Sequence, residues 1–195
     1  MTDIATLTPP KGWKILSHAE QQAFIREHLG DASDIIAIAL PSGGDGSVFA
    51  QLSYRPVGYV DDNTPIDPTR VRQGISEDLD ILNQESGLTG KDAVRWKTFA
   101  PAPKYDPATR CVEYGVELSV SGDPALNLYK MCLVRNGAIV LTLVGTPADG
   151  LDLNNWVITP QNNLRYERFD PKSDRRAEGN LINLLLNLTD RKSVV

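Results

Sequence analysis

Residues 111–120 read Cys111-Val112-Glu113-Tyr114-Gly115-Val116-Glu117-Leu118-Ser119-Val120, and the reading of the fold starts from them. The even positions are Val, Tyr, Val, Leu and Val; the odd positions from 113 onward carry Glu, Gly, Glu and Ser. A period of two marks a strand with one face toward a core and the other face wetter. Working outward, Gly122-Asp123-Pro124 turns the chain into a second run, Leu126 to Val134. Asn136-Gly137 then predicts a type I′ hairpin, because both residues tolerate positive φ. The third run, Ile139 to Val144, is apolar on both faces except at Thr142. Such a strand needs cover on both sides. The chain is therefore expected to form an α+β fold, a largely antiparallel twisted sheet with helices on both faces.

The flanking sequence supplies the helices. Ser17 followed three residues later by Glu20 is a capping box, and Ala23, Phe24 and Leu29 follow it before Gly30. Ile35 to Leu40 reads as a buried strand, joined to Val48 to Tyr54 across Gly43-Gly44-Asp45-Gly46. Asp67-Pro68 opens a second helix, with Val71, Ile75, Leu79 and Leu82 on one face and Gly87 and Gly90 beyond its end. Ala93 to Ala100 reads as a strand broken by Pro101 and Pro103. Residues 174–190 read as a C-terminal amphipathic helix, with Leu181, Leu184, Leu185 and Leu188 apolar and Asn180, Asn183 and Asn187 forming a polar stripe. With no internal repeat and no low-complexity linker, residues 1–195 read as one domain.

Composition narrows the function. The 195 residues are 41% hydrophobic and 23% charged, those of an ordinary folded chain. A net charge of −5 argues against nonspecific binding to nucleic acid or to a membrane surface. The most basic stretch, Arg165 to Arg176, also contains Glu167, Asp170 and Asp174, and reads as a self-paired surface. No window approaches the roughly 18 apolar residues of a membrane-spanning helix, and the first ten residues lack the pattern of a signal peptide. Cys111 and Cys132, both in strands, read either as small buried apolar residues or as one disulfide.

Signatures of chemistry are sparse. His18 and His28 share the first helix with no nucleophile motif beside them, so no catalytic residue is assigned. Ser42-Gly43-Gly44-Asp45-Gly46 lacks the Lys-Ser/Thr of a phosphate loop and leads into a strand, which makes it a hairpin loop. Asp61, Asp62 and Asp67 are the weak candidates for a hard-cation site; their bland alternative is an acidic turn ending in a helix cap. No cofactor fingerprint is present.

Four strings resemble, in order and spacing, an uncharacterised bacterial family described as predicted membrane-anchored proteins, domain of unknown function 2167. They are Gly58-Tyr59-Val60-Asp61-Asp62, Pro103-Lys104-Tyr105-Asp106, Arg135-Asn136-Gly137 and Tyr166-Glu167-Arg168-Phe169-Asp170-Pro171. Gly12-Trp13 before the first helix adds to the likeness. The resemblance implies a domain placed between a signal peptide and a membrane anchor, and brings no catalytic residue with it. The alternation of elements also resembles the Mog1/PsbP-like fold, a binding scaffold. Two compartments follow from the two ways of taking the chain: cytoplasmic if Met1 is the native start, or the periplasmic side of the envelope if this is a soluble part of a longer protein.

The expected function is a noncatalytic binding or adaptor module that engages a protein partner or self-associates. Its sheet face and its C-terminal leucines, Leu181, Leu184, Leu185 and Leu188, are the expected contacts. The alternative is an enzyme that uses Asp61, Asp62 and Asp67 with a divalent cation.

Overall fold

The computed structural model describes residues 4–29, 34–55, 60–61, 68–134, 137–161 and 179–180. In chain order the first strands are β1 (Ala5–Thr8) and β2 (Trp13–Ile15), followed by helix α1 (His18–Phe24). Then come β3 (Ile35–Pro41), β4 (Phe49–Arg55), β5 (Val60–Asp61), helix α2 (Pro68–Glu85), β6 (Arg95–Phe99) and β7 (Lys104–Asp106). The long strands β8 (Cys111–Val120), β9 (Asp123–Val134) and β10 (Gly137–Gly145) form the centre. Short strands β11 (Val157–Pro160) and β12 (Gly179–Asn180) close the order.

The main sheet has eight strands in the order β2-β3-β4-β10-β9-β8-β6, with β7 also paired to β8. Every pairing in it is antiparallel. The α+β antiparallel architecture expected from the central meander is the one observed. Strands β6 and β7 are two pieces of one edge strand, interrupted opposite Gly115, where Ala100 N–H donates to the Gly115 carbonyl and Gly115 N–H donates to that of Pro101. That break falls where the prolines placed it.

Register sorts the sheet residues into two faces. On one, α2 buries Val71, Ile75 and Leu79 against Val112, Tyr114, Val116, Leu118 and Met131. Beside it, Phe24, Ile25 and Leu29 from the first helical segment pack on Ile38 and Phe49 of the same face. The other face carries Ala39, Ala50, Leu52, Leu128, Ile139, Leu141 and Leu143. Among the described residues its cover is the β1–β11 ribbon, through Ala5 and Leu7, together with Leu153 and Trp156. Both described helices therefore lie on one face, and β10 is buried on both, as its composition requires.

Local signals explain the helices. The Ser17 hydroxyl accepts from the Glu20 N–H, and the Ser17 N–H donates to the Glu20 carboxylate at 2.7 Å, a complete capping box. After Phe24 the helix widens into a π turn, Ile25–Leu29, which keeps Ile25 and Leu29 buried. Asn83 of α2 holds the chain entering β6 by exchanging two 2.8 Å hydrogen bonds with the backbone of Val94.

Three expectations need amendment. Gly137, expected in the hairpin turn, is a strand residue: β9 and β10 pair as far as Val134 opposite Gly137. It is required there because a Cβ would collide with the Arg55 carbonyl of β4. Within 174–190, the expected C-terminal helix, the described residues Gly179 and Asn180 form β12, paired in parallel with Val60–Asp61. Glycine and asparagine are poor helix formers, which fits that local outcome; the rest of that segment lies outside the described residues. The wetter face of β8 is also drier than expected, since Cys111, Gly115 and Ser119 are buried and Glu113 and Glu117 half-buried.

Candidate binding site on the sheet

The residues singled out from sequence fall in separate places. Asp61 lies in β5, where only its backbone is described, and Asp62, Asp67, Leu181, Leu184, Leu185 and Leu188 lie outside the described residues. Among the described residues no group of three His, Cys, Asp or Glu side chains could hold a metal ion. His18 is exposed at the start of α1. The His28 ring packs against that of Phe24, with centroids 4.4 Å apart and planes tilted by 37°, beside the buried Gly46 of the glycine-rich loop. Cys111 and Cys132 face each other across β8 and β9 and are joined in a disulfide. No helix among the described residues is long and apolar enough to cross a membrane.

The sheet brings together a set that the linear sequence scatters. Gln51 on β4 is opposite Thr142 on β10, Thr142 is opposite Tyr129 on β9, and Tyr129 is opposite Tyr114 on β8. Asn127 lies two residues before Tyr129, on the same face. These side chains form a polar row across the helix-bearing face, which runs from beside the patch under α1 into the core under α2, where Tyr114 lies. Gln51, Thr142 and Asn127 are buried, and Tyr114 is wholly inaccessible.

The hydrogen bonding of the row is incomplete. Tyr114 and Tyr129 stack with centroids 4.8 Å apart and planes 15° from parallel, and Asn127 Nδ2 donates to the Tyr129 hydroxyl at 3.2 Å. The Gln51 Oε1, Asn127 Oδ1 and Tyr114 hydroxyl oxygens are buried with no hydrogen-bond partner among the described residues. Burial raises both phenols above the ordinary tyrosine range, Tyr114 strongly, with the neighbouring Tyr129 adding to it. For Tyr129 the Asn127 hydrogen bond acts in the opposite direction. Both phenols therefore stay protonated at neutral pH. The row is an uncharged, buried set of donors and acceptors.

Sequence reading missed this row because each member is an ordinary strand residue by itself. The one visible signal was Thr142, the single polar residue in an otherwise apolar strand.

The antiparallel sheet with its helices places this protein in the α+β class. Residues 1–187 match the family described as "Protein of unknown function (DUF2167)", and the chain belongs to that family. Comparison with curated proteins finds no match. Among solved structures it is similar to cyanobacterial PsbP (CyanoP) from Synechocystis sp. PCC 6803. The two share 10% identity and a TM-score of 0.44, over 76% of this chain and 84% of that one.

Proposed function

We propose that this protein is a noncatalytic binding or adaptor module, and that it engages a protein partner through its sheet or its C-terminal segment. The observation that carries this reading is the polar row. A buried polar atom without a partner costs about 1–3 kcal/mol of folding free energy. Gln51, Asn127 and Tyr114 each contribute such an atom in one contiguous strip. Apolar side chains of similar volume would serve the fold as well there, which supports a role for the strip besides packing. The C-terminal leucines, Leu181, Leu184, Leu185 and Leu188, belong to the same proposal as a second contact, tested by deleting residues 178–195.

The compartment in this proposal is the extracytoplasmic side of the envelope. The Cys111–Cys132 disulfide supports it, because such bonds persist in oxidising surroundings and are rare in the cytosol.

Apolar replacement of the row tests the reading. Gln51→Met and Asn127→Leu remove the unpartnered oxygens at similar volume, and their denaturation midpoints are expected to match or exceed that of the parent. A clear loss of stability in both variants would mean that the row serves the fold, and the proposal would fail.

A further inference from the structure

Strand β1 owes its place to one neighbouring strand and one turn. Among the described residues its backbone pairs with β11 alone, Ala5 to Thr8 running against Pro160 to Val157, and the Gln161 N–H adds a bond to the Ile4 carbonyl. Its side chains alternate. Ala5 and Leu7 are buried against the helix-free face of the main sheet, in the core that holds Leu52, Leu153 and Trp156. Thr6 and Thr8 are exposed. None of these contacts involves residues 9–12, so the β1 of a second copy would meet the same groove with the same bonds and the same side chains.

Pro9-Pro10-Lys11-Gly12 joins β1 to β2. The linker turns back on itself: the Trp13 N–H donates to the Pro10 carbonyl at 3.2 Å, and Gly12 sits at φ +92 in open space. The Gly12 carbonyl accepts from the Ser42 N–H at 2.7 Å, which pins the β2 end and puts the pivot between Thr8 and Gly12. Each proline holds φ at about −65°, and Pro9, preceding another proline, is biased to extended backbone. The pair therefore favours a straight polyproline segment over a reversal. Straightened, the four residues span roughly 13 Å, enough to carry β1 off its own sheet.

We propose that β1 is exchanged between two copies of this chain, each strand docking on the β11 of the other. The inference does not depend on the adaptor reading above. Exchange is reciprocal and closes on two molecules. The short linker holds a chain's own strand at a millimolar effective concentration, so exchange grows with protein concentration.

Thr6 and Thr159 stand opposite one another in the β1–β11 register, and both are exposed, which makes them a reporter of whose strand is docked. Two full-length copies of different mass, one Thr6→Cys and the other Thr159→Cys, are mixed at high concentration, oxidised with the native disulfide intact, and resolved by mass spectrometry. The expected product is a covalent heterodimer joining positions 6 and 159, in several-fold excess over either homodimer and falling on dilution. Pro9→Gly/Pro10→Gly is expected to cut that yield several-fold, because a pliable linker closes the turn more easily. A single chain carrying Thr6→Cys and Thr159→Cys is expected to close internally when dilute, which checks the register. A heterodimer no more abundant than the homodimers overturns the exchange, as does a yield unmoved by dilution or by the glycine substitutions. Failure of the doubly substituted chain to close removes the pairing itself and overturns the proposal too.

Discussion

The carbonyl oxygen of Ala100 lies where a Cβ on Gly115 would have to sit. Two hydrogen bonds hold that approach, and Leu128 Cδ2 crowds the same point at 2.7 Å. The obstacle is backbone, which cannot rotate away. Gly115→Ala is expected to lower the unfolding free energy by about 2–3 kcal/mol, in the range of overpacked cores. Gly122→Ala, at φ +93 but in open space, is expected to cost only the conformational term, about 1–2 kcal/mol. Denaturant titration of the two variants side by side checks the order.

The disulfide closes a loop with a sequence separation of 21. On the chain-entropy account its removal is expected to lower stability by about 3 kcal/mol. Cys111→Ala/Cys132→Ala, compared with the oxidised parent by denaturation, provides the measurement. A difference well under 1 kcal/mol would show that the β8–β9 pairing constrains the unfolded chain by itself.

Alkaline titration reads the tyrosines of the row. Tyr114 and Tyr129 hold their protons above the ordinary value of 10.0 in the folded chain. Above that pH the unfolded chain binds fewer protons than the folded one, so stability falls as pH rises. Their contribution is fully present below 10.0 and is lost as pH rises through the raised folded values, with half-buried Tyr54 shifted the same way, and Tyr129→Phe should shrink the drop. Tyrosinate absorbance followed with stability across the alkaline range checks both statements.

At the acid end the capping box contributes, beside the lowered carboxyls of Asp45 and Asp106. The Glu20 carboxyl is lowered to about 2, chiefly by the Lys14 hydrogen bond and then by Ser17. A depressed acid lends stability above its unfolded value, 4.5, and loses it as pH falls toward the folded one. Glu20→Gln is therefore expected to reduce the slope of the stability profile between those two values while leaving its alkaline side unchanged. Helicity and unfolding followed from neutral pH downward measure it.

How much of this was legible depended on the range of the interactions. The β8–β9–β10 meander and α2 announced themselves through period-two and helical spacing, and the capping box through Ser17 and Glu20. Each of these signals is local. The β1–β11 ribbon was invisible because Ala5–Thr8 meets Val157–Pro160 across most of the chain. Gly137 misled in an instructive way: it was read for its freedom at positive φ, whereas its role is to admit the Arg55 carbonyl of a strand far back in sequence. The polar row had the same difficulty, since Gln51, Asn127, Thr142 and the two tyrosines become neighbours only once four strands are in register.

The two rims of the main sheet bear on how the protein behaves when crowded. On one side it ends in β2, three residues long with an exposed Lys14 at its centre. On the other it ends in β6, where the register slips between Trp96 and Thr98 around an exposed Lys97. Short length, lysine and a bulge each discourage another chain from adding a strand. The sheet is therefore a poor seed for fibrils, and concentrated solutions should stay free of thioflavin-positive material even though its central strands are among the most apolar in the chain.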